Sequence, residues 1–182
     1  MRVDTPRIKP IHEDDWTENQ KNALGQQKIR GNVANIFRTL ANHESLAKRW
    51  MVFANHILFK SSLSGRDREI IILRIGWLCK AEYEWGQHVV IGKKEGLSDE
   101  EIAAIKEGHA ASLWSDHEKL LIKATDELHE DAFVSDETWA GLRSIYSDQQ
   151  MVDMVFTCGQ YNMVSMALNS FGVQLDDDIS GF

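Results

Sequence analysis

The amino-acid sequence predicts an all-α protein, and three observations support that fold class. Proline occurs only at Pro6 and Pro10, so nothing later in the chain carries the residue that most often interrupts a helix. Segments 98–101 (SDEE), 115–118 (SDHE) and 147–150 (SDQQ) each place a serine three residues before Glu or Gln, which is the capping-box pattern of a helix start. Behind each of these segments the apolar residues follow helical spacing. Strand signals are poor by comparison.

The helices can be placed in chain order. Segment 33–59 predicts two helices that meet near Asn42. Segment 67–80 (DREIIILRIGWLCK) predicts the next helix, because its β-branched run lies inside a longer helical pattern, and Ser64 supplies a weaker start signal. A further helix holds the stretch 79–88 (CKAEYEWGQH), and Ser135 marks another weaker start.

The last helix, within segment 151–172, is apolar on most of its sides. A helix of this kind is buried on several faces, either in the core or at a subunit interface. Several of its residues are methionines, which fill irregular gaps in cores. Core packing is therefore the plainer explanation.

Composition and charge exclude several classes of protein. A length of 182 residues fits one domain spanning 1–182, with residues 1–30 as the least defined, N-terminal extension. There are 20 Lys and Arg against 28 Asp and Glu, and a net charge of −8 argues against nucleic-acid binding. The chain has no membrane-spanning run and no secretory apolar segment, and Cys79 and Cys158 do not make a disulfide framework. We therefore expect a cytoplasmic protein with reduced thiols that binds neither membrane nor nucleic acid.

The stretch 79–88 carries the candidate catalytic residues. Glu84 and His88 are four residues apart, so on a helix they lie on one face, one turn from each other. A carboxylate there can fix the imidazole tautomer and raise its basicity, as acid–base chemistry near neutral pH requires. Glu69 lies in the preceding apolar helix, where a carboxylate needs a partner or a raised pKa. The plainer alternative is a Glu–His pair on a solvated helix face.

Neighbouring residues suggest how a substrate would be held. Tyr83 and Trp85 would supply apolar walls, and Arg74 is a nearby cation that could meet an acidic substrate. Cys79 has no second cysteine two residues away, so packing is its plainer explanation. The sequence shows no nucleotide or phosphate motif and no paired metal-ligand spacing, and we expect no cofactor and no metal.

Segment 69–105 resembles the carboxymuconolactone decarboxylase family, which also contains the alkylhydroperoxidase D-like proteins. In the redox branch of that family a Glu is followed by a C-x-x-C-x-x-x-H segment. Glu69 and His88 match the Glu and the His, whereas Ala81 and Glu84 stand at the two cysteine positions. Segments 124–142 and 169–178 are also similar to longer members of the family. The resemblance implies an alkylhydroperoxidase D-like helical bundle that assembles as a trimer or hexamer, with the last helix as a plausible interface element.

Three functional hypotheses follow from the resemblance. The first is a cofactor-free lyase or isomerase acting on a small carboxylated lactone from aromatic-compound breakdown. In it His88 is the general acid/base, Glu84 and Glu69 orient it, and Arg74 binds the substrate carboxylate. The second is a thiol-dependent antioxidant protein using Cys79, with or without Cys158, although the missing C-x-x-C pair argues against it. The third is a non-catalytic oligomer that binds a small molecule or a protein.

Overall fold

A computed structural model describes residues 1–25, 28–29 and 32–182 of the chain. Within these residues the regular secondary structure is helical apart from one short antiparallel ladder, in which β1 (Lys28–Ile29) pairs with β2 (Asn32–Val33). The helices are α1 (Glu18–Leu24), α2 (Asn35–Leu40), α3 (Glu44–Phe59), α4 (Gly65–Leu78), α5 (Glu82–Lys94), α6 (Asp99–Glu107), α7 (Asp116–Asp131), α8 (Asp136–Arg143) and α9 (Asp148–Phe171). The predicted all-α class is confirmed.

The predicted helix starts are confirmed by their hydrogen bonds. Ser98, Ser115 and Ser147 each form a complete capping box with the Glu or Gln three residues later. Ser64 and Ser135 cap α4 and α8 through the side-chain oxygen alone. These starts depend only on neighbouring residues, and this is why the sequence was sufficient to place them.

Helix α4 is the centre of the fold. It packs against α5, α6, α7 and α9, and every residue from 69 to 76 is buried. Most of these side chains are large and apolar, so their burial supplies much of the driving force for folding. Glu69 is fully buried among them, and a carboxylate in that position must be paired.

Helix α9 lies along this core and also reaches the surface. Met151, Met154 and Cys158 are buried against the central cluster, whereas Phe156 and Met166 are exposed. The sequence prediction that α9 is buried on several faces is confirmed, with one apolar stripe left open. In the part of the chain that the structure describes, no helix is both long enough and apolar enough to cross a bilayer.

The segment after α9 runs back over α5. Asp176 accepts hydrogen bonds from the Tyr83 hydroxyl (2.8 Å), the Gln87 side-chain amide (2.6 Å) and the Asn35 backbone N–H (2.9 Å). Phe182 meets the ring of Trp85 at a centroid distance of 5.6 Å. This C-terminal segment therefore fixes the first turns of α5, where the candidate site lies.

Candidate active site

His88 lies between two carboxylates. Its Nδ1 is 2.6 Å from Glu69 Oε2, and its Nε2 is 2.9 Å from Glu84 Oε1. All three side chains are buried. Each ring nitrogen of His88 thus faces a carboxylate oxygen, which is the arrangement that an imidazolium satisfies by donating from both nitrogens. The structure thus brings together the three residues to which the sequence assigned acid–base chemistry.

Two helices and one neighbouring cation hold this arrangement in place. Glu84 and His88 lie one turn apart on α5, and Glu69 comes from α4. Arg68 Nε donates to the second oxygen of Glu69 at 3.0 Å, and Arg68 also reaches Glu95 at 3.5 Å. Sequence reasoning missed Arg68, although a carboxylate in an apolar helix indicates that a nearby cation is needed.

The pKa of His88 follows from these contacts. Burial acts to lower the pKa, but the charges and hydrogen bonds of Glu69 and Glu84 outweigh burial and raise the pKa to about 10. The ring is therefore protonated at neutral pH and can give up a proton. It acts as a general base only after that proton has left.

The raised pKa of His88 predicts a pH-dependent stability. Because the pKa of His88 is higher in the folded protein than in the unfolded chain, protonation of His88 stabilises the fold. This stabilisation is complete below pH 6.5, the unfolded-state pKa, and it is lost as the pH rises through about 10. A tenfold change in proton affinity corresponds to about 1.4 kcal/mol. We expect the free energy of unfolding, measured by urea titration, to fall between pH 7 and pH 10. The same titration of His88→Gln should lack this fall, and an equal fall in both proteins would contradict the assignment.

His88 and Glu84 line a cavity of about 170 Å³ between α2, α3, α5 and α9. Tyr161 meets the His88 ring edge-on at a centroid distance of 4.9 Å. Tyr83 also lines the cavity, but its hydroxyl donates to Asp176. Burial and then the negative charge of Asp176 raise the pKa of Tyr83 well above its usual value, so it stays a neutral phenol. Glu69 lies behind His88, away from the cavity surface.

Two of the predicted substrate-binding residues lie elsewhere, and the sequence expectation is corrected here. Arg74 donates to Asp126 at 2.6 Å and to the Ile105 carbonyl, near the end of α6, at 2.7 Å. Its guanidinium therefore joins three helices and is not available to a substrate in the cavity. Trp85 points to the opposite side of α5, where it packs against Trp77 and Phe182. Residues 83 and 85 are two apart, so on a helix they face in nearly opposite directions.

The two cysteines lack the lowered pKa that is typical of redox thiols. Cys79 is half-buried, and its thiol donates to Asn162 Oδ1 at 3.0 Å. Burial is the main cause of a raised pKa for Cys79, and burial likewise raises the pKa of Cys158 to about 12. Reactive thiols have lowered pKa values. In the described part of the chain, no group of three or more His, Cys, Asp or Glu side chains is arranged to hold a metal ion.

One known family matches the part of the chain that contains this site. Residues 44–127, which include Glu69, Glu84 and His88, match the carboxymuconolactone decarboxylase family. This part of the chain belongs to the carboxymuconolactone decarboxylase family. The superfamily assignment that the motif suggested is confirmed. Comparison with curated proteins gives no match.

Several solved structures share the fold of this chain. An uncharacterized peroxidase-related protein with an alkylhydroperoxidase AhpD core, from Ralstonia eutropha JMP134, has a TM-score of 0.82 at 15% identity, with 94% of this chain and 93% of that chain covered. An uncharacterized peroxidase-related protein from Silicibacter sp. TM1040 has a TM-score of 0.78 at 16% identity, covering 97% and 92%. A variant of the debrominase Bmp8 in complex with 2,3,4-tribromopyrrole has a TM-score of 0.74 at 13% identity, covering 93% and 91%. At these identities the likeness concerns the fold.

Proposed function

We propose that this protein is an enzyme that transfers a proton at a carbon atom of a small ring substrate, using His88 and Glu84 and no thiol. The observation that carries the proposal is the imidazolium of His88, which is held between two buried carboxylates at the wall of a cavity. Perturbed titratable groups in a cleft are the usual mark of a catalytic site. Glu69 and Arg68 are positioning residues in this scheme.

The proton moves between the pair and the substrate. A substrate carbanion or enolate takes the proton that His88 and Glu84 share, a C–H bond forms, and the pair takes back a proton from water or from another position of the substrate. In an isomerisation the same pair first gives up its own proton, then removes a proton from carbon and returns it at another position of the substrate. Proton transfer by a positioned side chain typically contributes about 10²- to 10⁴-fold to a rate.

Decarboxylation of a carboxylated lactone is the finer version that the family resemblance suggests. In that reaction the bond to the carboxylate carbon breaks, carbon dioxide leaves, and the electron pair stays on the ring as a dienolate that the His88–Glu84 pair protonates. An acidic substrate stays a prediction. None of the described residues that line the cavity is Lys or Arg, so the geometry supports the protonation step more directly than the binding of an anion.

Two measurements in one substrate screen test this function. Single-ring lactones and ketones, with and without a carboxylate, are incubated in deuterium oxide with wild type and with His88→Gln. Incorporation of deuterium at carbon or release of carbon dioxide that depends on His88 supports the proposal. If the turnover is equal in both proteins, acid–base catalysis by His88 is wrong.

A thiol-dependent peroxidase is the second candidate, because two of the proteins with the same fold are described as peroxidase-related. The thiol-free site predicts that Cys79→Ser leaves turnover in the substrate screen within about twofold of wild type, since a raised pKa keeps this thiol protonated. The measurement is the substrate assay beside an alkyl-hydroperoxide reduction assay with dithiothreitol as the reductant. Peroxide reduction that Cys79→Ser abolishes would replace the acid–base proposal with a one-cysteine antioxidant.

A non-catalytic binding protein is the third candidate, and a lack of turnover in both assays would favour it.

We further propose that the protein is a homo-oligomer, trimer or hexamer, in line with the family resemblance. The exposed stripe of α9 that contains Phe156 and Met166 supports this proposal, because apolar side chains at an interface are covered in the assembly. Cytoplasmic localisation stays a prediction from the sequence.

A further inference from the structure

An apolar groove lies beside the cavity that holds Glu84 and His88. The groove has a volume of about 200 Å³ and is formed by α2, α3, the second half of α9 and the segment that follows α9. No charged residue is found among the described residues of its lining. Thr39 contributes a hydroxyl, but this hydroxyl already donates to the Asn35 carbonyl at 2.9 Å. The groove therefore favours an apolar group and offers no ionic contact.

The groove is open to solvent on one side. Leu168 and Val173 are buried within its lining, whereas Leu46 and Met163 are about half exposed. A concave apolar surface that remains open in this way is a usual feature of a ligand site.

The groove and the cavity share one wall. Ile36 from α2, Trp50 from α3 and Val164 from α9 line both spaces. Tyr83, which lines the cavity, belongs to the same apolar cluster as Leu168, which lines the groove. A ligand in the cavity is therefore separated from the groove by the thickness of these side chains.

The two spaces differ in their polar groups. The cavity contains the carboxylate of Glu84 and the imidazole of His88, whereas no titratable side chain is found among the described residues that line the groove. Small-molecule sites are mostly apolar and have a few polar groups that fix the orientation of the ligand. The cavity and the groove together have this composition, with the polar groups at one end.

We infer that the substrate is a ring compound with an uncharged apolar substituent, whose ring lies beside His88 and whose substituent lies in the groove. A cavity of about 150 Å³ is known to hold benzene, so the present cavity of about 170 Å³ holds one ring. The groove has room for a substituent of similar size. The inference deepens the proposed function by naming its substrate class, and it rests on that proposal for the identification of the cavity as the reactive site.

Titration calorimetry with three matched lactones tests the inference. γ-Valerolactone carries a methyl group on its ring, γ-octalactone carries a butyl group on the same ring, and the third probe has a chain of the same length that ends in a carboxylate. Wild type should bind γ-octalactone at least about tenfold more tightly than γ-valerolactone, because three more methylene groups leave water. The carboxylate-ended probe should lose this gain. Equal binding of the two neutral lactones, equal binding of the carboxylate-ended probe and γ-octalactone, or no binding of γ-octalactone would each overturn the inference.

A substitution that fills the groove assigns the effect to this surface. Ala167 lines the groove and is absent from the lining of the cavity. Ala167→Phe should bring γ-octalactone within about twofold of γ-valerolactone, and unchanged binding of γ-valerolactone would show that the cavity is intact. Ala140→Phe makes the same change at an exposed position of α8 and should keep the wild-type preference. A preference for γ-octalactone that survives in Ala167→Phe contradicts the inference.

A second variant serves where Ala167→Phe folds poorly. Leu46→Glu places a carboxylate at the exposed mouth of the groove and should lower the preference for γ-octalactone by at least about threefold, because the butyl group then displaces water from a charge. Val52→Glu makes a similar change on the same helix, at an exposed position outside the lining of the groove, and should have no such effect. Equal preferences in the two variants would contradict the inference.

Oligomeric state and turnover separate this inference from the alternatives. Light scattering should give the same mass for Ala167→Phe and wild type, and a different mass would show that a second copy of the chain covers the groove, against the inference. Binding is measured without turnover, so chain-dependent binding in a protein that fails the deuterium screen would contradict the proposed function alone. Turnover that depends on His88 without any effect of chain length on binding would contradict this inference alone.

Discussion

His88→Gln is expected to lower kcat by about 10²- to 10⁴-fold on any substrate that the deuterium screen identifies, because glutamine has no proton to transfer at neutral pH. The far-ultraviolet circular dichroism should keep its helical form at the assay temperature. His109→Gln is the matched control, since His109 is half exposed and contacts Asp126, away from the cavity. Activity that survives in His88→Gln would show that His88 is a paired core residue.

Glu84→Gln provides a second test where His88→Gln folds poorly. The glutamine oxygen can still accept from His88 Nε2, so the buried hydrogen bond survives, but one negative charge beside the ring is lost. The pKa of His88 should then fall, and the pH–rate profile should shift toward lower pH. A profile identical to that of wild type would exclude the Glu84–His88 pair from the reaction.

Glu69→Ala is expected to have the largest effect on stability. Glu69 is fully buried and is the partner of both His88 (2.6 Å) and Arg68 (3.0 Å). Its removal leaves the side chains of His88 and Arg68 without their shared carboxylate. Breaking a buried ion pair typically costs about 3–5 kcal/mol. Urea unfolding at pH 7 measures the change in the free energy of unfolding.

Glu95→Ala is the matched control for that measurement. Glu95 contacts the same Arg68, at 3.5 Å, but its side chain is 40% exposed. Exposed ion pairs contribute about 0–1 kcal/mol. If Glu69→Ala and Glu95→Ala lowered the free energy of unfolding by similar amounts, the buried ion pairs of Glu69 would contribute no more to stability than an exposed pair.

The local features of the fold were predictable from the sequence. The capping boxes at Ser98, Ser115 and Ser147 involve residues three positions apart, so the pattern contains both partners of each hydrogen bond. The Glu84–His88 pairing is local in the same sense, since the two residues lie one helical turn apart. Glu69 was singled out as a carboxylate in an apolar helix, and only the likeness of segment 69–105 to a known family connected it with His88, because no spacing rule does.

Contacts between helices were not predictable in this way. Arg74 and Trp85 lie close in sequence to the candidate catalytic residues, but Arg74 binds Asp126 and Trp85 packs on Trp77. The face of a helix that meets the cavity depends on how its neighbours pack around it. The groove beside the cavity was not predicted from the sequence for the same reason, because side chains of α2, α3 and α9 form it only when these helices are packed together.

The sequence by itself determined the helical class, the helix starts and the absence of the paired thiols at Ala81 and Glu84, because these are properties of residue type and short spacing. Tertiary structure alone decided that His88 is held as an imidazolium between carboxylates from two helices. It also decided that Arg68 rather than Arg74 accompanies that cluster, and that the adjoining cavity is apolar. Burial and charge pairing are sums over residues distant in sequence, and only the packed chain brings those residues together.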